Sequence, residues 1–255
     1  MTLQQPPILE GSSGGGPLVV SLLRADPDLA PGIAPERRRE AQRFSAARVW
    51  SGGGPRLERE PTKPGESGFG LLVLSGVLCR RTAQSGHVSA ELIGPGDLIR
   101  PWESSAGWSS LPVACRWVIV KPAQLAILDR AFAERVAPFP EIAIGLSRRS
   151  VRRTARLATA LSGLCQPRVE SRLTTLFWQL ADRFGKTRAD CIHVPVPLTH
   201  GLLAELVAMR RPSVTKALAR LRQEGVLERA EGGWLLRGPG PTAALSGPWS
   251  EPAPS

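Results

Sequence analysis

Residues 198–227 read LTHGLLAELVAMRRPSVTKALARLRQEGVL, two apolar-periodic segments that meet at a short break. Leu202, Leu203, Leu206 and Val207 share one face of a short helix, and Thr199 stands where a capping hydroxyl belongs. After the break at 208–211, Pro212 falls in a first helical turn, where its missing N–H costs nothing. Val214, Ala217, Leu218 and Leu221 then recur at helical spacing, and Gly225 stops the helix. Two short helices joined this tightly leave little choice but a helix-turn-helix. The next stretch, GVLERAEGGWLLRG, reads as strand, Gly-Gly turn and strand, the wing of a winged helix.

The other face of the second helix carries Arg210, Arg211, Ser213, Thr215, Lys216 and Arg220. These are donors suited to phosphates, and an arginine can also bond guanine bidentately in the major groove. With Thr199 and Pro212 they form the expected DNA-binding set. The blander alternative is a winged helix used for protein contacts, with a merely solvated basic face; helix, wing and basic first turn together favour DNA. The net charge of +11 is compatible with a polyanionic partner. An excess of arginine alongside abundant Ala, Gly and Pro also fits GC-rich coding, so the placement of charge carries the argument and its total does not.

Upstream the pattern changes twice. Residues 1–34 are expected to form a disordered N-terminal segment, most clearly the low-complexity MTLQQPPILEGSSGGGP. PERRREAQRFSAARVW (Pro35 to Trp50) reads as a helix ended by SGGGP. From Phe69, short apolar runs alternate with turns: GLLVLSGVLCRR around Ser75-Gly76, HVSAELIGPGDLIRPW with its Gly-Pro-Gly-Asp turn, then VACRWVIV and AQLAILD on either side of Lys121-Pro122. That spacing predicts an antiparallel roll or barrel between residues 66 and 129.

A long helix follows from Pro140. Ile142, Leu146, Ser150, Thr154, Leu157, Leu161 and Leu164 trace one stripe, with Arg148, Arg149, Arg152, Arg153 and Arg156 mostly off it. Pattern alone leaves two readings open, a helix packed on its own domain and a two-helix dimer seam. PRVESRLTTLFWQLADRFG is one more helix, closed by Gly185.

Other chemistries find no support. FGKT (Phe184 to Thr187) has Leu180 where a phosphate-binding loop needs glycine, and it ends a helix where that loop would open one. His87, His193 and His200 lack metal-ligand spacing, and Cys79, Cys115, Cys165 and Cys191 form no C-x-x-C pair, so isolated buried thiols are expected. No serine sits in a nucleophile elbow. No enzyme, metal or cofactor is expected. PLVVSLL is too short to cross a bilayer and has no basic leader, which makes a cytoplasmic protein with no membrane association the expectation.

The order roll, long helix, winged helix resembles the cyclic-AMP receptor/fumarate–nitrate regulator (Crp/Fnr) family of bacterial transcription factors. GLLVLSGVL is similar to its strand-Gly-strand opening, LIGPGDLI to its roll turn, and LTHGLLAELVAMRRPSVTKALARLRQEGVL to its DNA-reading unit. The resemblance implies an α+β fold with an N-terminal cyclic-nucleotide-binding-like beta roll, a long dimerisation helix and a C-terminal winged helix-turn-helix. The implied domains are a sensor over 35–139, the helix over 140–165 and a DNA-binding domain over 166–238, with a disordered tail over 239–255. It further implies a homodimer that binds double-stranded DNA and meets RNA polymerase, with Leu146, Leu157, Leu161 and Leu164 as the seam and Arg211, Pro212 and Lys216 at base-contacting positions.

The departures from the family are equally specific. Members that bind cyclic AMP hold it with a Gly-Glu pair after the roll turn and an Arg followed by a small residue and Ala; here those sites read Arg100-Pro101 and Pro112-Val113-Ala114. Loss of cyclic AMP binding is therefore expected, and any effector, of unknown identity, is placed near Gly96, Asp97, Arg100 and Glu103. Nothing before Cys79 supplies the cysteine cluster of the iron–sulfur branch. Pro212 stands where the best-known members carry an acidic residue. The rival of another class is a signalling or scaffolding module that does not bind DNA, its roll holding a metabolite or protein and its basic face meeting an anionic surface.

Overall fold

The computed structural model describes residues 18–53, 68–103 and 113–238. The disorder expected over 1–17 and 239–255 lies outside the described residues. Residues 18–34, by contrast, are folded: β1 (Val19–Ser21) leads into α1 (Leu22–Ala25) and a short 3-10 turn, and Leu22, Leu29 and Ile33 are buried. Those leucines and Ile33 have a core to enter only once the later elements are in place, which a scan of 1–34 alone does not reveal.

The helix expected over 35–50 is shorter. α2 (Pro35–Phe44) stops before Ser45, and β2 (Ala46–Gly52) follows, pairing antiparallel with β1. The second half, AARVWSG, is an edge-proximal strand whose partners are distant in sequence, so tertiary pairing overrides its local helical pattern.

The roll itself is built on two long strands, β3 (Gly70–Gln84) and β6 (Ala114–Leu128), with β4 (His87–Ile93) and the two-residue β5 (Leu98–Ile99) between them. Strand order is β1-β2-β6-β3-β4, with β5 also on β3, and every pairing is antiparallel. Each pair of apolar runs expected as separate strands is thus one strand with an irregularity. The β3–β6 register shifts three times between Val73 and Leu78, at Gly76 and opposite Pro122. Pro122 cannot donate a ladder hydrogen bond, and a bulge is where a sheet tolerates it. Gly76 has φ +85°, and a Cβ there would lie 2.1 Å from the Pro122 carbonyl oxygen, so only glycine lets the strands bend together.

Because side chains alternate across a strand, β3 and β6 feed two cores. Leu71, Val73, Leu125 and Ile127 face the roll interior with Leu78, Ile93 and Ile99, walled by Trp50, Trp102 and Trp117. Leu72, Ala126 and Leu128 point the other way, onto Leu22, Leu29, Phe132, Phe139, Ile142 and Leu146 from the flanking helices. These helices include α3 (Arg130–Val136), whose first turn is capped by Asp129 accepting from the Phe132 amide at 2.8 Å, and α4 (Pro140–Leu164).

The chain divides into two compact units inside α4, between Thr159 and Ala160. The second unit holds α5 (Val169–Phe184), β7 (Lys186–Thr187), β8 (Ile192–Val194), α6 (His200–Leu206), α7 (Arg211–Gln223), β9 (Leu227–Ala230) and β10 (Gly233–Leu236). Its sheet runs β7-β8-β10-β9. Phe177 and Trp234 pack at 5.2 Å between ring centroids, and the buried indole N–H donates to the Leu198 carbonyl at 3.3 Å.

Candidate nucleic-acid interface

The two helices of the turn form for the reasons their residues supply. Thr199 Oγ1 accepts from the Leu202 amide at 3.2 Å, the expected N-cap of α6. Leu202, Leu203, Val207, Val214, Ala217, Leu218 and Leu221 are buried, and Leu206 is half-buried. Each fully buried leucine contributes about 1.5–3 kcal/mol relative to an exposed one, so these stripes hold α7 against α5 and α6 in a single rotational setting.

That setting turns the basic residues outward. Arg210 is the extended N-cap of α7, Arg211 and Pro212 open its first turn, and all three are exposed, as are Thr199, Thr215 and Lys216. Ser213 is half-buried. Arg220 is exposed but engaged: its guanidinium donates to Glu224 at 3.0 Å and lies 3.8 Å from Glu170 on α5. Of the residues expected to meet DNA, it is the one whose charge is already answered within its own unit.

The turn between the helices depends on a residue that the sequence does not advertise. Arg172 of α5 sends Nη1 to the Val207 carbonyl at 3.3 Å and to Met209 Sδ at 3.5 Å, while its Nε donates to the Gln166 carbonyl at 2.7 Å. Ala208, in that turn, has φ +52°, the left-handed region that an L residue enters at a cost of about 1–2 kcal/mol. Arg172 lies outside the helix-turn-helix segment, and no local pattern links it to the turn.

The roll turn is organised by Asp97. Gly94-Pro95-Gly96-Asp97 closes with the Asp97 amide on the Gly94 carbonyl at 3.0 Å, Pro95 supplying its fixed φ and Gly96 the positive φ of +82°. The Asp97 carboxylate, only 1% exposed, accepts from the Gly94 amide at 3.0 Å and is ion-paired with Arg156 of α4. Two more pairs lie along the same face of α4. Arg153 holds both Glu91 oxygens at 2.8 Å, Glu91 also pairing with Arg80 at 3.0 Å, and Arg149 holds Asp26 at 2.5–2.6 Å. Burial pushes the Asp26 carboxyl above its usual range, against the opposing pull of the Arg149 guanidinium.

Of the residues expected around an effector, Gly96, Asp97 and Arg100 make contacts within the fold. Asp97 belongs to the turn and to Arg156, and Arg100 donates to the Gly68 carbonyl at 2.7 Å and stands 5.9 Å from the Trp102 ring centroid. A Cβ on Gly96 would lie 3.1 Å from an Arg149 nitrogen. Glu103 closes the 3-10 turn Pro101–Glu103, and its side chain lies outside the described residues, as does Pro112. The spacing of Arg149, Arg153 and Arg156, i, i+4 and i+7, is visible in the sequence as a shared face, whereas their carboxylate partners are distant in sequence.

The four residues expected at a dimer seam differ in exposure. Leu146 is 1% exposed within the core of its own unit, Leu157 and Leu164 are half-buried, and Leu161 is 65% exposed. An outward stripe runs instead through Ile144, Ser147, Val151, Thr154, Ala158 and Leu161, all exposed and all uncharged, at alternating steps of three and four. Cys165 extends it and is exposed; of the four cysteines only Cys79 is buried. Among the described residues no three His, Cys, Asp or Glu side chains gather as metal ligands, and no helix is long and apolar enough to cross a membrane.

A nucleotide-binding-like roll in an α+β chain that ends in a winged helix-turn-helix defines a transcription regulator whose C-terminal unit is a DNA-binding domain. Comparison with known proteins agrees. A family model for the Crp-like helix-turn-helix domain matches residues 171–238. The regulatory protein CysR of Synechococcus elongatus is 32% identical over 156 residues, which cover 60% of this chain and 67% of that protein. The CRP-like cAMP-activated global transcriptional regulator of Mycobacterium tuberculosis is 36% identical over 110 residues, 43% of this chain and about half (49%) of that protein. In fold, the chain is similar to the c-di-GMP-responsive global regulator CLP of Xanthomonas campestris, with a TM-score of 0.56 at 15% identity over 77% of this chain and 96% of that one. The chain belongs to the Crp/Fnr family of transcription regulators.

Proposed function

We propose that the chain is a sequence-specific regulator that binds double-stranded DNA as a homodimer, with a sensor that does not take cyclic AMP. The observation that carries this reading is the outward face of α7. Arg210, Arg211, Thr215 and Lys216 are exposed there, on a helix fixed by four buried apolar residues and free of carboxylates in its first turn. Arg211 and Lys216, five residues apart on α7, are suited to base edges, with Thr199, Arg210, Ser213 and Thr215 suited to phosphates.

The outward stripe of α4 supports the dimer. A heptad-like run of uncharged, exposed side chains, with Val151 68% and Leu161 65% exposed, is what a second copy of the same helix would cover. Two-fold symmetry would then present two recognition helices to half-sites about one DNA turn apart. The pairing of Asp26, Glu91 and Asp97 with α4 argues against a nucleotide phosphate at that face, since its guanidiniums are already neutralised. The M. tuberculosis relative is cAMP-activated and CLP is c-di-GMP-responsive; an effector for this chain would need to displace these internal carboxylates. RNA polymerase is the further partner, and the cytoplasm, where chromosomal DNA lies, is the compartment.

The experiment is footprinting on genomic DNA together with calorimetric titration of cyclic AMP. A protected stretch of fixed length with two-fold sequence symmetry, and no heat of nucleotide binding, are the expected results. Uniform coating without a footprint, or micromolar cyclic AMP affinity, overturns the corresponding half of the reading.

A further inference from the structure

His200 opens α6 and is half-buried, and its Nδ1 lies 3.0 Å from Thr215 Oγ1 on the outer face of α7. This hydrogen bond ties the first helix of the motif to the recognition helix at a hydroxyl that faces outward. The Trp234 ring of β10 lies 6.4 Å from the imidazole between centroids. From this geometry we infer that His200 is a further DNA-contacting residue, which takes up a proton as a backbone phosphate docks and thereby frees the Thr215 hydroxyl to donate to the same phosphate strand.

The argument follows from donors and acceptors. A neutral imidazole with its proton on Nε2 accepts at Nδ1, so the Thr215 O–H is spent inward and cannot reach a phosphate. With the proton on Nδ1, the hydroxyl is free but Nε2 presents a lone pair, which repels an anion. The imidazolium resolves both conflicts: Nδ1–H donates to Thr215 Oγ1, the hydroxyl proton turns outward, and Nε2–H adds a charge-assisted donor. On α7, Arg211 lies one turn before Thr215 and Lys216 directly after it; β10 contributes the uncharged Trp234; the one carboxylate of α6 itself, Glu205, is five residues along. A docked phosphate sets a negative charge beside the imidazole and favours its protonated form, so proton uptake is coupled to docking. Histidine is the side chain that can make this exchange near neutral pH.

The inference rests on reading the outer face of α7 as the DNA-contacting surface, and the test separates the two. The affinity of the full chain for a duplex recovered by footprinting is measured from pH 8 to pH 6 at constant ionic strength. The wild type is expected to tighten as pH falls, by up to about tenfold per pH unit for one coupled proton. His200→Gln should remove that slope, His200→Arg should bind tightly at both ends of the range, and His193→Gln and His87→Gln should keep the wild-type slope. A flat wild-type profile, or a slope that survives His200→Gln, overturns the role of His200. If Arg211→Ala and Lys216→Ala also bind like wild type at every pH, the face itself is wrong, and both readings fall.

Discussion

Arg153 of α4 holds both carboxylate oxygens of Glu91 on β4 at 2.8 Å, and Arg80 of β3 pairs with the same carboxylate at 3.0 Å. The three side chains are 15–29% exposed, so this is a partly desolvated triad in which one anion answers two cations. Removing Glu91 deprives two half-buried guanidiniums of the anion they share. Glu91→Ala is expected to lower the stability of the N-terminal unit by roughly 1–3 kcal/mol, less than a fully buried pair would lose because solvent screens the site. Denaturant unfolding measures it, and a double-mutant cycle with Arg153→Ala should show losses well short of additive. Additive losses would mean that the contact carries no coupling.

The two faces of α4 make opposite predictions for substitutions only five residues apart. Leu146→Ala, in the core, should cost about 2–5 kcal/mol and leave any dimer interface untouched. Val151→Glu, on the outward stripe, should leave the fold intact and shift the chain to monomer in analytical ultracentrifugation. Cys165 offers an independent check. On a parallel helix pair its two copies would sit within disulfide reach, so a mild thiol oxidant should yield a covalent dimer that Val151→Glu abolishes.

Arg211 and Lys216 should be separable by what they read. Arg211→Ala is expected to cost about 1–3 kcal/mol and to relax preference at one base position. An arginine or lysine that meets only phosphate should weaken all sequences alike and lower the salt slope by about one. Titration against a selected duplex and its single-base variants, over a range of salt, distinguishes the two. Arg220→Ala should be mild in the same assay because Glu224 and Glu170 already engage that side chain.

Ala208 holds a left-handed backbone in the turn of the motif. Glycine there avoids the Cβ clash but adds freedom to the unfolded chain, and the first effect is the larger. Ala208→Gly should therefore stabilise the C-terminal unit by roughly 0.5–1 kcal/mol, read as a raised unfolding midpoint. Arg172→Ala should act in the other direction, by removing a side-chain donor from the Val207 carbonyl.

Asp26 should give the N-terminal unit a pH dependence whose sign follows from its burial. Its folded carboxyl titrates above the ordinary range, burial outweighing the nearby Arg149. In the window between the unfolded and folded values the folded state binds more protons, so this group's contribution to stability rises as pH falls and is lost as pH rises. The stability difference between wild type and Asp26→Asn should shift in favour of the wild type as the buffer moves from pH 7 toward pH 4. A shift of the opposite sign would show that Arg149 dominates instead.

The parts of this protein legible in its sequence are those in which neighbouring residues determine one another. Thr199 caps α6 three residues from its donor, Pro212 falls in the first turn of α7, and the stripe from Val214 to Leu221 repeats with the helical period. The roll turn at Gly94-Pro95-Gly96-Asp97 is equally local. These are short-range hydrogen bonds and periodicities, so the helix-turn-helix, its wing and the identity of its outward face follow from the order of residues alone. What the order could not decide was partnership over distance. AARVWSG became a strand because β6 was there to pair with it, and residues 18–34 folded because a core formed around Leu22 and Leu29. Which of the two readings open for the α4 stripe applies to Leu146 was decided by packing: the core of its own unit buries it, while Val151 stays exposed. Asp97 and Arg100, placed by sequence at an effector, are occupied by Arg156 and the Gly68 carbonyl, and His200 met Thr215 only once two helices had crossed. Apolar periodicity selects a face, but which neighbour covers that face, and which opposite charge answers a buried one, is settled only when the whole chain has packed.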